Sequence, residues 1–314
     1  MIQLGNISVP DALSTIADFI RFTYSRLNRE PVFFGHGTDN SWDEAVSLVL
    51  QVLDLPWDFS NELWSCHLTN DERSKLLSII DKRIVNRIPL AYLTNQAWFC
   101  EHRFYVDERV LIPRSPIAEL IQNRFAPWAL SESLIDDQGA KILDLCTGSG
   151  CIGIACALEF ESAQVDLLDI SKPALEVANK NIEYYELEGR VRAIESDVFS
   201  GLGAQHAKCY DLIVSNPPYV DANDFKTMPE EFSKEPVLGL VSGKDGLDLV
   251  RRILTEATKY LKDDGLLVVE VGNSWEALEQ AYPEFPFTWL DFEFGGHGVF
   301  AVSAHELKAL ADKA

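Results

Sequence analysis

The sequence predicts an α/β protein in which a small helical domain precedes a mostly parallel β-sheet with helices on both faces. Residues 1–95 carry apolar side chains at helical spacing and contain no convincing strand. From Lys141 onward, short apolar runs that suit buried strands alternate with helical runs, the pattern of a parallel sheet. A chain of 314 residues has room for about two such domains.

Three amphipathic helices are expected in residues 1–95. Apolar residues recur there at intervals near 3.6, the period of an α-helix. Ser41 and Glu44 have the spacing of a capping box, so Ser41 is the expected N-cap of the second helix. The expected helices cover residues 11–28, residues 41–55 before Pro56, and residues 70–86.

A β-hairpin is expected at residues 96–113, which we predict to be the hinge between the domains. Two short runs of aromatic and β-branched residues lie there, broken near Glu101 and His102. Residues 114–314 then form the second predicted domain. Its strand-like runs are KILDLC, QVDLLDI, VRAIESD, YDLIVSN, GLLVVEV, TWLDFEF and VFAVSA.

The overall charge argues against a general nucleic-acid-binding protein. The chain has 49 acidic and 27 basic side chains, a formal net charge of −22, which repels phosphate backbones. A composition of 47% hydrophobic residues is that of an ordinary globular protein. We expect no signal peptide, no membrane contact and a cytoplasmic location. Six cysteines without a CxxC pair predict neither disulfides nor a metal site.

A glycine-rich loop follows the strand KILDLC and leads into a helix. Gly148, Gly150 and Gly153 satisfy the pattern GxGxxG, which lets backbone N–H groups approach a ligand. Asp169 follows at the end of the next strand, where a carboxylate can accept hydrogen bonds from two ribose hydroxyls. This arrangement predicts a nucleotide-type cofactor, either a nicotinamide dinucleotide or S-adenosylmethionine.

An acidic residue at the tip of the first strand distinguishes these two cofactors. The charge of Asp144 would repel a pyrophosphate but suits the cationic methionine part of S-adenosylmethionine. Asp197 ends the following strand-like run and can accept a hydrogen bond from the adenine amino group. Ile170 and Val198 are expected to pack against the adenine ring.

The sequence Asn216-Pro217-Pro218-Tyr219 ends the fourth strand-like run, and two prolines fix its backbone. Ligands bind at this edge of doubly wound sheets. Asn216 and the Pro217 carbonyl offer acceptors and Tyr219 a flat ring, which together suit a planar NH₂ group. Two acceptors on its N–H bonds favour the pyramidal geometry in which the nitrogen lone pair becomes nucleophilic.

These motifs resemble those of a known group of enzymes. DLCTGSG, the D-x-S at residues 169–171 and NPPY look like class I S-adenosylmethionine-dependent methyltransferases that modify planar NH₂ groups. RIPLAYLTNQAWFCEHRFYVDERVLIPRSPIAELI and SGKDGLDLV are similar to the protein N5-glutamine methyltransferases, the HemK-like family. The resemblance implies a helical substrate-recognition domain, a hairpin hinge and a Rossmann-like seven-stranded sheet with an antiparallel last strand near VFAVSA.

The resemblance also implies the site residues. Asn216 and the Pro217 carbonyl would grip the glutamine amide, and Tyr219 would pack against it, with Pro218 between them. Near the hinge, Arg114 and Phe99 are weaker candidates for closing over the cofactor. S-Adenosyl-L-homocysteine would be the product, and no metal is implied. The expected cofactor-binding residues are Asp144, Thr147, Gly148, Gly150, Asp169, Ile170, Asp197, Val198, Asn216 and Arg114.

The hinge departs from the family pattern and favours one branch of the family. Family hinges usually read IPRPETE or IPRPDTE, whereas this chain reads IPRSPIAE. With FFGHGTDN and WDEA in the helical domain, this resembles the branch that acts on the third protein of the large ribosomal subunit. A basic ribosomal protein, free or in an assembling subunit, is therefore the expected partner. The GGQ loop of release factors, a nucleic-acid base, and a non-catalytic role in ribosome assembly remain alternatives.

Overall fold

A computed structural model describes residues 2–4, 7–9, 13–129, 131–285 and 287–311. The chain divides into two compact units. The first comprises Met1–Gln96 together with Pro229–Lys234, and the second comprises Ala97–Met228 and Glu235–Ala314. The short segment Pro229–Lys234 follows the NPPY sequence by ten residues, and no sequence pattern assigned it to the helical unit.

The first unit is built on four helices around one apolar core. Phe19, Leu48 and Leu76 are among its fully buried side chains. The expectation that residues 1–95 contain no strand was wrong, because a two-stranded antiparallel sheet of three-residue strands, too short to give a clear alternating pattern, precedes the helices. The elements are β1 (Ile2–Leu4), β2 (Ile7–Val9), α1 (Ile16–Leu27), α2 (Ser41–Val52), α3 (Asn70–Val85) and α4 (Leu90–Thr94).

The helix ends differ from the predicted ones where side chains compete for the caps. The expected start of α1 at Asp11 lies outside the described residues, and Thr15 caps the helix. The prediction that Ser41 caps α2 was wrong. Asn40 is an equally strong N-cap residue, and its backbone is extended. Its side-chain oxygen accepts hydrogen bonds from the backbone N–H groups of Trp42 and Asp43. At the other end, Asp54 takes a left-handed conformation (φ 55°), which stops α2 before Pro56.

A buried ionic cluster lies inside the first unit. Arg83 of α3 is 1% exposed and donates to the carboxylate of Glu44, to Glu231 Oε1 at 3.2 Å and to the carbonyl of Phe33 at 2.7 Å. Glu231 Oε1 also accepts from the backbone N–H of Phe33 at 3.0 Å. Glu231 belongs to the segment Pro229–Lys234, so this segment is anchored in the unit by a buried charge.

The second unit contains the predicted seven-stranded sheet, which confirms the α/β fold class. The strand order is β10-β11-β9-β8-β5-β6-β7. Strands β5 to β9 are parallel, and β11, within VFAVSA, is antiparallel to β9 as expected. Its strands are β5 (Lys141–Leu145), β6 (Gln164–Asp169), β7 (Val191–Glu195), β8 (Tyr210–Ser215), β9 (Leu261–Glu270), β10 (Thr288–Trp289) and β11 (Val299–Ser303). A separate two-stranded sheet contains β3 (Ala97–Phe99) and β4 (His102–Phe104).

Helices cover both faces of this sheet and form two apolar cores, one on each side. The strands are buried accordingly, and all six residues of β8 are inaccessible to solvent. Only Thr288–Trp289 of the predicted strand TWLDFEF pairs with the sheet. The helices are α5 (Ile117–Gln122), α6 (Glu132–Ile135), α7 (Cys151–Glu159), α8 (Lys172–Tyr184), α9 (Asp248–Glu256), α10 (Trp275–Ala281) and α11 (Ala304–Ala311).

The strand order creates a crevice at the carboxyl edge of the sheet. The chain proceeds from β5 to β6 and β7 on one side and then returns to β8 and β9 on the other. The switch point lies between β5 and β8, where Leu145 pairs with Ser215. The loops that follow these two residues contain the glycine-rich motif and NPPY, so the sheet brings the two motifs together.

The predicted hairpin is present but shorter than residues 96–113. Strands β3 and β4 are joined by Cys100 and Glu101, both with positive φ, as in two-residue turns that match the twist of the strands. Pairing ends at Phe104 because both backbone groups of the next residue, Tyr105, bond the Asn181 side chain instead of a partner strand. Within the described part of the chain, no helix is long and apolar enough to cross a membrane.

Candidate active site

A cavity lies at the carboxyl edge of the sheet in the second unit. Its lining comes from the hinge and from the loops that follow β5, β6, β7 and β8. The predicted site residues that line it are Arg114, Thr147, Gly148, Asp169, Ile170, Asp197, Val198, Asn216 and Pro218. The predicted residues outside the lining are Phe99, Asp144, Gly150, Pro217 and Tyr219.

The glycine-rich loop bounds the cavity on the β5 side. Gly148 has a φ of +56°, and a Cβ added there would meet no heavy atom within 4 Å, so the backbone faces open space. Gly153, one turn into α7, serves packing instead, because its Cβ would lie 2.1 Å from Leu167 Cδ2. The loop therefore exposes its backbone to a ligand while α7 stays close to the sheet.

Asp144 lies beneath this loop rather than in the cavity. The residue is fully buried, and its Oδ2 accepts from Thr147 Oγ1 at 2.5 Å and from the backbone N–H of Gly153 at 3.0 Å. Its Oδ1 is buried and has no hydrogen-bond partner among the described residues. Burial, with the charge of Asp169 as a smaller contribution, raises the pKa of Asp144 to about 7. Asp144 therefore lies outside the cavity lining, in contact with the loop that bounds the cavity.

Asp169 stands at the end of β6 and reaches the cavity. Its Oδ2 accepts from the backbone N–H of Gly148 at 2.9 Å, and its Oδ1 accepts from that of Ser171 at 2.8 Å. Burial raises the pKa of Asp169, and these two backbone donors oppose the effect. Because each carboxylate oxygen has two lone pairs, the fixed carboxylate retains acceptor capacity toward the cavity.

The residues after β6 and β7 form a further wall with both polar and apolar character. Ile170 is 51% exposed, and Val198 is buried beside it in the lining. Asp197 Oδ1 accepts from Arg252 Nη1 at 2.6 Å, an ion pair at the protein surface. The sequence did not predict the role of Arg252, because the position of an arginine in an amphipathic helix does not indicate which acidic residue it pairs with.

The NPPY residues extend from the end of β8. Asn216 and Pro218 line the cavity, whereas Pro217 is buried. Tyr219 is partly buried, and its Oη donates to Glu270 Oε1 at 2.9 Å. The Tyr219 carbonyl accepts from Ser274 Oγ at 2.8 Å. The motif is thus held at its last residue by the end of β9 and by Ser274, which follows it.

Three residues near the hinge contact other parts of the second unit. Phe99 is 5% exposed and packs on Phe104, so it belongs to the core and does not close over the cavity. Arg114 lines the cavity, but its two Nη atoms donate to Glu235 at 2.7 and 2.8 Å. Ser115 occupies the position where the family hinge has proline, and its hydroxyl donates to Glu270 Oε2 at 2.5 Å.

Sequence reasoning did not single out Glu235 or Glu270, although both are nearly inaccessible to solvent. Glu270 is the last residue of β9 and the next to last of the strand-like run GLLVVEV, and an acid at the end of a buried strand is the signal that would have found it. Glu235 lies in a loop without a regular pattern, so its pairing with Arg114 could not be anticipated.

Known proteins resemble this chain over nearly its full length. Residues 126–238 match the family model of the methyltransferase small domain. A ribosomal protein uL3 glutamine methyltransferase of Francisella tularensis is 49% identical over 300 residues, covering 96% of this chain and 93% of the relative. A protein of the same name from Neisseria meningitidis serogroup B is 49% identical over 295 residues, covering 94% and 95%.

Proposed function

Because the chain belongs to the family of ribosomal protein uL3 glutamine methyltransferases, we propose that it transfers a methyl group to the side-chain amide nitrogen, N5, of a glutamine in uL3. The membership confirms the family resemblance and the class of enzyme expected from the sequence. The single observation that carries the proposal is the identity of 49% along the whole chain, in which both motifs are intact. The cytoplasm, where ribosomes assemble, is the expected location.

S-Adenosylmethionine fits the cavity. The open space above Gly148 accommodates a ligand against the backbone, and the fixed carboxylate of Asp169 suits the two ribose hydroxyls. Ile170 and Val198 suit the adenine ring, with Asp197 as the acceptor for its amino group. When bound, S-adenosylmethionine supplies an electrophilic methyl group on sulfur and leaves as S-adenosylhomocysteine.

Asp144 supports the cationic methionine part from below the loop. Its Oδ1 has no hydrogen-bond partner among the described residues and burial raises its pKa, so the two hydrogen bonds to Oδ2 only partly compensate the ionised form. A positive charge near the loop would lower the free energy of the ionised carboxylate. Asp144 is therefore assigned an electrostatic role through the loop, together with the structural role of bonding Thr147 and Gly153.

The NPPY residues hold the substrate amide. The Asn216 side chain and the Pro217 carbonyl accept from the two amide N–H bonds, which turns the nitrogen lone pair toward the methyl group. The Tyr219 ring packs against the planar amide and excludes water. The residues in this motif include no general base. The amide proton becomes more acidic as the nitrogen forms its bond to the methyl carbon, so it can be lost without one.

Electrostatics favour a basic protein substrate. Residues 141–314 contain 30 acidic and 15 basic side chains, whereas residues 1–95 contain 12 and 8. Such a surface attracts a basic ribosomal protein and repels free RNA, which raises the rate of association more than the affinity.

A methyl-transfer assay tests the proposal. The wild-type chain is incubated with tritiated S-adenosylmethionine and ribosomal proteins from cells that lack the enzyme, and the labelled band is identified by mass spectrometry. A methylated glutamine in uL3 is the expected result. Label on a release factor would move the substrate to the other branch of the family, and label in RNA alone would overturn the protein substrate.

The same assay tests the role of Asn216. Asn216→Ala removes one acceptor from the amide, and kcat should fall by about 100-fold or more, the usual loss for a group that stabilises the transition state. The dissociation constant of S-adenosylmethionine should rise much less than kcat falls, although Asn216 also lines the cavity. Asn123→Ala is the matched control, because Asn123 is an exposed asparagine that bonds only the Glu119 carbonyl of its own helix.

A further inference from the structure

A buried carboxylate joins the NPPY motif to the hinge. Glu270 is 5% exposed. Its Oε1 accepts from Tyr219 Oη at 2.9 Å, and its Oε2 accepts from Ser115 Oγ at 2.5 Å. An ionised carboxylate only accepts hydrogen bonds, so both hydroxyls are the donors, one to each oxygen. Both donors therefore point toward Glu270 and away from other partners.

The sheet places this carboxylate next to the amide-binding motif. Strands β8 and β9 are parallel, and Ser215 pairs with Val269. Asn216, the first residue after β8, and Glu270, the last residue of β9, follow this pair and therefore lie side by side at the carboxyl edge of the sheet. Tyr219, three residues beyond Asn216, returns to Glu270 through its hydroxyl.

Tyr219 is also held at its ring and its carbonyl. A Cβ on Gly272 would lie 2.4 Å from Cε2 of the tyrosine, so the ring rests directly on the Gly272 backbone. Ser274 Oγ donates to the Tyr219 carbonyl at 2.8 Å. With the hydroxyl bound to Glu270, three contacts fix this residue, and the backbone between it and β8 has little freedom left.

We propose that Glu270 is a positioning residue for methyl transfer, which fixes Tyr219 through its hydroxyl and thereby holds Asn216 and the Pro217 carbonyl in the orientation that grips the amide. Ser115 supports Glu270 by satisfying its second oxygen. The inference rests on the proposed function, because it assigns the amide to this motif. It implies that Tyr219 meets the substrate with its ring and not with its hydroxyl.

Tyr219→Phe and Tyr210→Phe form a matched pair that tests the role. Tyr210 begins the same strand β8, at the opposite end from the site, and its hydroxyl donates to Asp166 Oδ2 at 2.8 Å. Both substitutions delete one hydroxyl from a buried tyrosine–carboxylate pair. Tyr219→Phe should lower kcat by about tenfold, whereas Tyr210→Phe should leave kcat within about twofold of wild type.

A double-substitution cycle links the effect to the carboxylate. Glu270→Met keeps a similar volume without an acceptor, and kcat should fall at least as far as in Tyr219→Phe. Adding Tyr219→Phe to Glu270→Met should lower kcat no further, since the hydroxyl then has no partner to lose. Glu270→Gln, which keeps one acceptor oxygen, provides a second variant if Glu270→Met does not fold. Ser115→Ala should give a smaller loss, about threefold.

Each outcome decides between a positioning role and a merely structural one. Positioning predicts a loss in kcat with the S-adenosylmethionine dissociation constant within about threefold of wild type and non-additive losses in the cycle. Additive losses, equal losses in Tyr210→Phe, or an unchanged kcat in Tyr219→Phe would overturn it. All variants are assayed on whichever protein the wild type labels. A substrate other than uL3 would thus overturn the proposed function alone.

Discussion

The buried carboxylate of Asp144 couples the cofactor loop to pH. Its Oδ2 holds the loop through Thr147 and Gly153, whereas Oδ1 has no partner among the residues described. Burial raises its pKa to about 7 from an ordinary value near 3.8. The folded protein therefore retains a proton on Asp144 at pH values where the unfolded chain has lost it.

The stability of the wild type relative to Asp144→Asn should consequently depend on pH. Between about pH 4 and 7 the folded state binds more protons than the unfolded state, so the relative free energy of unfolding should fall as pH rises. The slope should approach about 1.4 kcal/mol per pH unit, flattening above pH 7. Urea denaturation of both proteins across this range measures the difference, and a constant difference would contradict the raised pKa.

At the scale of elements, close contact between α7 and the sheet keeps the cofactor loop in place. A Cβ on Gly153 would lie 2.1 Å from Leu167 Cδ2 and 3.0 Å from Asp144 Cβ, both buried in the sheet. Gly153→Ala should therefore push α7 outward and lower the free energy of unfolding by about 1–3 kcal/mol, the usual cost of overpacking. Thermal denaturation measures the change.

Gly189→Ala is the control for this prediction. A Cβ on Gly189 would meet nothing within 4 Å. The free energy of unfolding of Gly189→Ala should therefore stay within about 0.5 kcal/mol of the wild-type value. The double variant Gly153→Ala with Leu167→Ala should lose less stability than the two single variants together, because the smaller side chain removes the overlap. Strict additivity would show that the contact is not the cause.

The segment Pro229–Lys234 is an element of the helical unit although it follows the NPPY motif in the chain. Glu231 should anchor it, since this buried carboxylate bonds Arg83 and the Phe33 backbone. Glu231→Gln removes a negative charge that compensates the buried positive charge of Arg83, so the free energy of unfolding should fall by about 3 kcal/mol. Urea denaturation followed by circular dichroism measures the loss.

Glu230, the neighbour of Glu231 in the sequence, provides a matched control. Glu230 is exposed and pairs with Lys234 at 3.7 Å, so Glu230→Gln should change stability by less than about 0.5 kcal/mol. Equal effects of the two substitutions would show that the buried charge does not anchor the segment.

At the scale of the whole molecule, regular patterns in the sequence predicted the architecture, but they did not predict contacts between side chains far apart in the sequence. The alternating apolar runs predicted the parallel sheet, and the glycine and proline motifs predicted which loops bound the cavity. Long-range partners carry no local pattern, so the pairings of Glu270 with Ser115 and of Arg83 with Glu231 could not be predicted. Spacing does not reveal which face of a loop a side chain takes, so the burial of Asp144 beneath the loop, outside the cavity lining, could not be predicted.

The net charge of −22 leads to a prediction for the molecule as a whole. If acidic side chains attract a basic ribosomal protein, kcat/KM for uL3 should fall by about tenfold between about 50 and 300 mM salt, because ions screen charges over shorter distances at higher concentration. The fall should come from slower association and not from a lower kcat, which stopped-flow binding separates from turnover. A short uncharged peptide that carries the target glutamine is the control, and its kcat/KM should hardly respond to salt. If kcat/KM for the whole protein were equally insensitive, the acidic surface would have no part in capturing the substrate, and recognition would depend on local contacts alone.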